Sequence, residues 1–126
     1  VKSGTLAIHL ALIALQIQPG DEVIISNVVC EGVLNAIEQI GAKPILIDIE
    51  NETANIDSNL IEKAITKKTK CIIAVHYGGI PCEISKVISI AKTFKIPVIE
   101  DCAQALGARY KDTLCGQYGD IAIFSF

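Results

Sequence analysis

Apolar positions along the chain follow two alternating rhythms. Ser3 is a helix-capping residue type, and Leu6, Leu10, Ile13 and Ile17 recur at helical spacing until Pro19-Gly20 breaks the run. This predicts a first helix over about residues 4–17. Glu22 to Ser26 (EVIIS) is a short β-branched run, followed by an apolar helical stretch over 31–40 that Gly41 ends. The alternation then repeats. Pro44 to Ile49 (PILIDI) reads as a strand, and Asp57 offers an N-cap for Leu60, Ile61, Ala64 and Ile65. Lys70 to His76 (KCIIAVH) reads as a buried strand, and Gly78-Gly79-Ile80-Pro81 as a turn. Ile84, Val87, Ile88 and Ala91 stripe a helix, Pro97 to Asp101 (PVIED) forms another strand, and a last apolar run covers 120–126.

Nearly continuous Val/Ile strands separated by helices argue for a parallel sheet covered on both faces, hence an α/β fold. No repeat or linker interrupts it, so one domain is expected. Ligands of open parallel sheets gather at the carboxyl ends of strands, which directs attention to Ser26, His76, Asp101 and Ser125.

Composition narrows the field. The chain has 126 residues, 51% hydrophobic and 20% charged, enough apolar material for a core and too much for disorder. Its formal net charge is −3 and its longest Lys/Arg run is Lys67-Lys68, so a nucleic-acid partner is not expected. No apolar run approaches the roughly 20 residues that a bilayer demands, so no membrane partner is expected and the reading is cytoplasmic. Five cysteines, Cys30, Cys71, Cys82, Cys102 and Cys115, include no C-x-x-C pair. Buried, reduced thiols explain them better than disulfides or a metal site. There is no methionine, and the final apolar run lacks a turn or polar cap, so the chain is expected to be part of a longer one.

Three local arrangements carry chemistry. Ser3-Gly4-Thr5 opens the first helix, where free N–H groups and the positive dipole end suit a phosphate; the alternative is an ordinary helix cap. Ile99-Glu100-Asp101-Cys102-Ala103-Gln104 puts a carboxylate at the end of a buried strand, suited to a cationic ring nitrogen or, alternatively, to bracing a loop. Phe124-Ser125-Phe126 places a hydroxyl at the end of the last strand. His76 and Tyr77 end a strand on the same side, where His76 serves either a substrate or the fold. His9 reads as structural, Glu100 faces away from Asp101 by strand alternation, and Arg109 to Asp112 reads as a hairpin rim.

Taken in order, SGT-x-A-x-H-L-A-L, P-G-D-E-V-I, N-A-I-x-x-x-G-A-x-P, H-Y-G-x-P, V-I-E-D-x-A-Q-A-x-G-A and G-D-x-x-x-F-S-F resemble the DegT/DnrJ/EryC1/StrS aminotransferases along essentially the whole chain. The resemblance implies the aspartate-aminotransferase-like fold (fold type I), with residues 1–126 as part of a large domain that binds pyridoxal phosphate and a small C-terminal domain outside them. It implies transamination of a nucleotide-linked keto sugar with a donor such as glutamate, in amino-sugar or cell-surface polysaccharide biosynthesis, by a homodimer.

Residue by residue, the resemblance gives Gly4, Thr5 and Ser125 to the cofactor phosphate, Asp101 to the pyridinium nitrogen and Gln104 to the ring's phenolic oxygen. Cys30 falls where many members stack an aromatic on the ring; an inert buried thiol is the other reading. No metal is implied. The family's Schiff-base lysine lies just past the Ser-Phe pair, beyond Phe126, and surface Lys92 and Lys111 are no substitutes. Family dehydratases carry histidine at that lysine's place, so dehydration is the alternative chemistry; a truncated, inactive domain is the non-enzymatic one.

Overall fold

The computed structural model describes residues 1–126. Helix α1 spans Gly4–Ala14, and the Ser3 side chain accepts the Leu6 N–H at 3.2 Å, satisfying one of the donors a helix start leaves free. The helix stops before Ile17 because Gln16 turns into the left-handed region, with φ 59°. Strand β1 (Glu22–Ser26), helix α2 (Glu31–Gln39), strand β2 (Lys43–Ile47), helix α3 (Ser58–Ala64) and strand β3 (Thr69–Val75) follow. A single 3₁₀ turn, Tyr77–Gly79, leads to helix α4 (Ile84–Phe94) and strand β4 (Val98–Asp101). The hairpin β5 (Arg109–Tyr110) and β6 (Thr113–Leu114) precedes β7 (Ile121–Ile123).

The main sheet has five strands in the order β2-β1-β3-β4-β7, every pair parallel. Helices α1 and α2 cover one face and α3 and α4 the other, so each strand alternates between two cores. Cys71, Ile73, Val75, Ile99 and Ile123 join Ile8, Leu12 and Ile37 on the first face; Ile72, Ala74 and Val98 join Ile61, Ile84 and Val87 on the second. Truncating a fully buried member such as Ile73 to alanine costs about 2–5 kcal/mol.

Helix α1 is apolar nearly all round, so its spacing does not reveal which face is buried. Ile8, Ala11 and Leu12 face the core, whereas Leu6, Leu10 and Ile13 are exposed. Cys71, Cys82, Cys102 and Cys115 are buried free thiols, but Cys30 is exposed, which corrects the expectation of a buried thiol there. Cys30 sits at the N-cap position of α2, at the sheet's carboxyl edge, where the chain leaves the core. No helix is long and apolar enough to cross a membrane.

Candidate active site

Strand alternation separates two adjacent carboxylates. Ile99 belongs to the α1/α2 core and Val98 to the α3/α4 core, so Asp101 projects to the first side and Glu100 to the second. Asp101 is 5% exposed, and the hydrogen bond that the protein gives it is the Ala103 N–H on Oδ1 at 3.0 Å. Burial pushes its pKa above the usual 3.8; the Ala103 bond and the nearby His76 offset this only in part. A buried carboxylate with one donor and no cationic side chain on it has capacity for a further donor or a cation.

Asp101 lines a cavity of about 210 Å³ at the carboxyl edge of the sheet, together with Ser3, Gly4, Thr5, Cys30, Gly32 and Ser125. Gly4 and Ser125 meet there because β7 lies beside the start of α1: a Cβ on Gly4 would stand 3.3 Å from Ser125 Cβ. Gly32, in the first turn of α2, also lines this cavity, and no motif in the sequence marks it. A Cβ there would overlap the Thr5 hydroxyl, so this glycine is what lets the two helix starts converge. Glycine inside a helix costs about 1 kcal/mol against alanine, and that local misfit was the available signal.

Gln104 is exposed and does not line this cavity. Its Oε1 accepts the Gly78 N–H at 2.6 Å, which leaves its NH₂ group as the unengaged end, of the right polarity for a phenolic oxygen. Buried Asn55 holds the supporting 3₁₀ turn, accepting from Tyr77 N–H at 2.8 Å and donating to the Ile80 carbonyl at 3.0 Å.

His76 corrects the expectation of a substrate contact. It is fully buried, its Nδ1 accepts the Cys82 N–H at 3.1 Å, and that bond assigns the ring proton to Nε2, which donates to Glu100 Oε2 at 3.2 Å. Neither ring nitrogen is free for a substrate. His76, Glu100 and Cys102 place ligand-type atoms within 4.8 Å of one another, yet the histidine and carboxylate are already engaged, and burial pushes the Cys102 thiol up to about 12. These groups suit a hydrogen-bonded core better than a metal.

A larger groove of about 960 Å³ opens beside Gln18, Asp21, Lys67 and Lys95. It lies at the amino ends of the strands, away from Asp101 and the helix starts, so we place the chemistry in the smaller cavity.

The model of the DegT/DnrJ/EryC1/StrS aminotransferase family matches residues 1–126. The chain belongs to this family. GDP-perosamine synthase from Escherichia coli O157:H7 is 47% identical over the whole chain, which covers 35% of that protein. An aminotransferase from Psychrobacter cryohalolentis superimposes with a TM-score of 0.95 at 41% identity, over 99% of this chain and 32% of that one. A putative sugar aminotransferase from Streptococcus pneumoniae, solved in a PLP form, gives 0.91 at 35% identity, over 99% and 36%. The DegT-family chain thus spans about a third of the length of the relatives it matches. Its α/β fold is that of fold type I aminotransferases, and pyridoxal phosphate is the cofactor the comparisons indicate.

Proposed function

We propose that the protein carrying this chain is a pyridoxal-phosphate-dependent sugar aminotransferase, which moves an amino group from a donor such as glutamate to a nucleotide-linked keto sugar. The observation that carries this reading is the convergence of an under-satisfied buried carboxylate, Asp101, with the α1 start and the Ser125 hydroxyl on one cavity. When bound there, the cofactor supplies an electron sink for negative charge developing at the substrate carbon.

The chain's own residues do the holding. The N-terminal N–H groups of α1, Thr5 and Ser125 would hold the phosphate, with Gly4 and Gly32 leaving it room. Asp101 would hold a proton on the ring nitrogen: a cationic ring beside it offsets the desolvation that raises its pKa and keeps the carboxylate ionised. Gln104 donates to the phenolic oxygen, and Cys30 stands on the cavity wall where a ring would pack. The lysine implied by the resemblance is not among the 126 residues, so amino transfer is assigned to the protein that carries it.

We read residues 1–126 as part of the large domain. Exposed Leu6, Leu10 and Ile13 on α1 support the expected homodimer, and four buried free thiols support a reducing, cytoplasmic compartment. Sedimentation as a monomer of the fully active protein contradicts the dimer.

The test is direct. Purified protein given pyridoxal phosphate, glutamate and nucleotide-linked keto sugars yields 2-oxoglutarate and an amino sugar. Cofactor absorbance without amino transfer to any keto sugar overturns the substrate class, and no cofactor binding overturns the whole reading.

A further inference from the structure

Glu100 is fully buried, carries no site role in the reading above, and is the most heavily hydrogen-bonded side chain in the molecule. Its Oε1 accepts the N–H groups of Tyr118 and Gly119, each at 2.6 Å; its Oε2 accepts the Gly116 N–H at 2.8 Å and His76 Nε2–H at 3.2 Å. Three of the four donors therefore belong to one loop, residues 116–119, which turns the chain into β7. The loop is shaped to reach the carboxylate. A Cβ on Gly119 would stand 2.8 Å from the Val98 carbonyl and 3.2 Å from Glu100 Cγ, and one on Gly116 would press into the Phe124 ring at 2.7 Å. Immediately after the loop, Asp120 brackets the start of β4: its N–H donates to the Val98 carbonyl and its Oδ2 accepts the Val98 N–H, both at 2.8 Å. β7 then runs alongside β4 and delivers Ser125 to the cavity beside Gly4.

We infer that Glu100 is a positioning residue for the cofactor phosphate: by gathering the loop N–H groups it fixes β7, and through β7 the Ser125 hydroxyl, relative to Asp101 on its own strand. The same strand thus sets the ring contact directly with one carboxylate and the phosphate contact indirectly with the next. The inference rests on the proposed cofactor site. An amide at position 100 offers one acceptor oxygen in place of two, so one pair of donors then faces an NH₂ group and the loop loses one or two of its three bonds to this side chain. Because the damage travels through Ser125, it falls on the phosphate and spares the ring.

The experiment compares binding of pyridoxal phosphate and of pyridoxal, which lacks the phosphate, to the apo form of the protein carrying this chain. Glu100→Gln is expected to weaken pyridoxal phosphate about tenfold and pyridoxal less than about threefold, the scale of losing hydrogen bonds to a charged group. Ser125→Ala is expected to act in the same direction, and in its background Glu100→Gln changes the ratio of the two affinities by less than about twofold. Equal weakening of both ligands, or a full-sized ratio change without the Ser125 hydroxyl, overturns the inference. If Glu100→Gln does not fold, Glu100→Asp carries the test, since its charge remains and its carboxylate retreats by one methylene; an unchanged ratio in that folded variant overturns it equally. Failure of the unaltered protein to bind pyridoxal phosphate instead refutes the cofactor site itself.

Discussion

Glu100 and Asp101 are adjacent on β4 and both buried, yet the fold gives the first four hydrogen-bond donors and the second one. Burial alone raises the pKa of either carboxyl. For Glu100 the His76 bond and the N–H groups of Gly119, Gly116 and Tyr118 outweigh that burial and hold the pKa below its usual 4.5, whereas Asp101 remains above its usual 3.8. A carboxylate saturated by the protein strengthens the fold, and one left short of donors is shaped to receive a ligand. Strand alternation separates the two, with the structural member, Glu100, on the α3/α4 side and the proposed binding member, Asp101, on the cavity side.

The largest expected effect comes from removing the binding member. Asp101→Asn should cut amino transfer on the order of 10³-fold, the scale of losing a preorganised charge partner in an active site. The same change should raise the melting temperature of the unliganded protein at neutral pH. Folding raises this pKa, so the folded state holds the proton more tightly; stability falls as pH rises from 3.8 through the raised value, and a penalty persists above it. A lower melting temperature in the variant would show that Asp101 is satisfied by the fold.

Changing the structural member should do the reverse. Glu100→Gln is expected to lower folding stability by about 2–4 kcal/mol in denaturant titration, from buried donors left without acceptors. Its pKa is lowered by folding, so its contribution is present above 4.5 and is lost as pH falls through the lower folded value. The stability gap between parent and variant should therefore close in acid. A gap that persists at low pH contradicts the assignment.

Smaller effects sharpen the contrast at the cavity. Gly32→Ala pushes the Thr5 hydroxyl aside and should weaken pyridoxal phosphate about tenfold, while helix propensity offsets the strain by up to about 1 kcal/mol, so thermal melting moves little. Ser3→Ala removes the bond to the Leu6 N–H and should cost α1 about 1 kcal/mol by chemical denaturation. A loss of more than about 2 kcal/mol would mean that Ser3 does more than cap.

What was legible in the sequence was local. Ser3 and Asp57 announced helix starts and do cap them, and the β-branched runs gave the parallel sheet. Asp101, Gly4, Thr5 and Ser125 were marked by strand ends, a helix start and the motif order, and the structure brings them to one cavity. Three of the four donors on Glu100 are not legible, because they are backbone N–H groups from residues 16 to 19 positions away, and any residue but proline carries one. The roles of His76 and Gly32 likewise depend on what the fold sets against them: Glu100 and the Cys82 N–H for the first, Thr5 for the second. The Cys30 thiol is exposed although its neighbours in sequence, Val28-Val29, are apolar, because this segment is the rim where the chain leaves the sheet.

In the proposed function, Asp101, which receives one hydrogen bond from the protein, holds a protonated ring nitrogen. The nitrogen chemical shift of ¹⁵N-labelled pyridoxal phosphate bound to the protein carrying this chain tests it most directly. We expect a pyridinium shift at neutral pH that reverts to that of a neutral ring in Asp101→Asn; the same shift in both proteins refutes this role for Asp101.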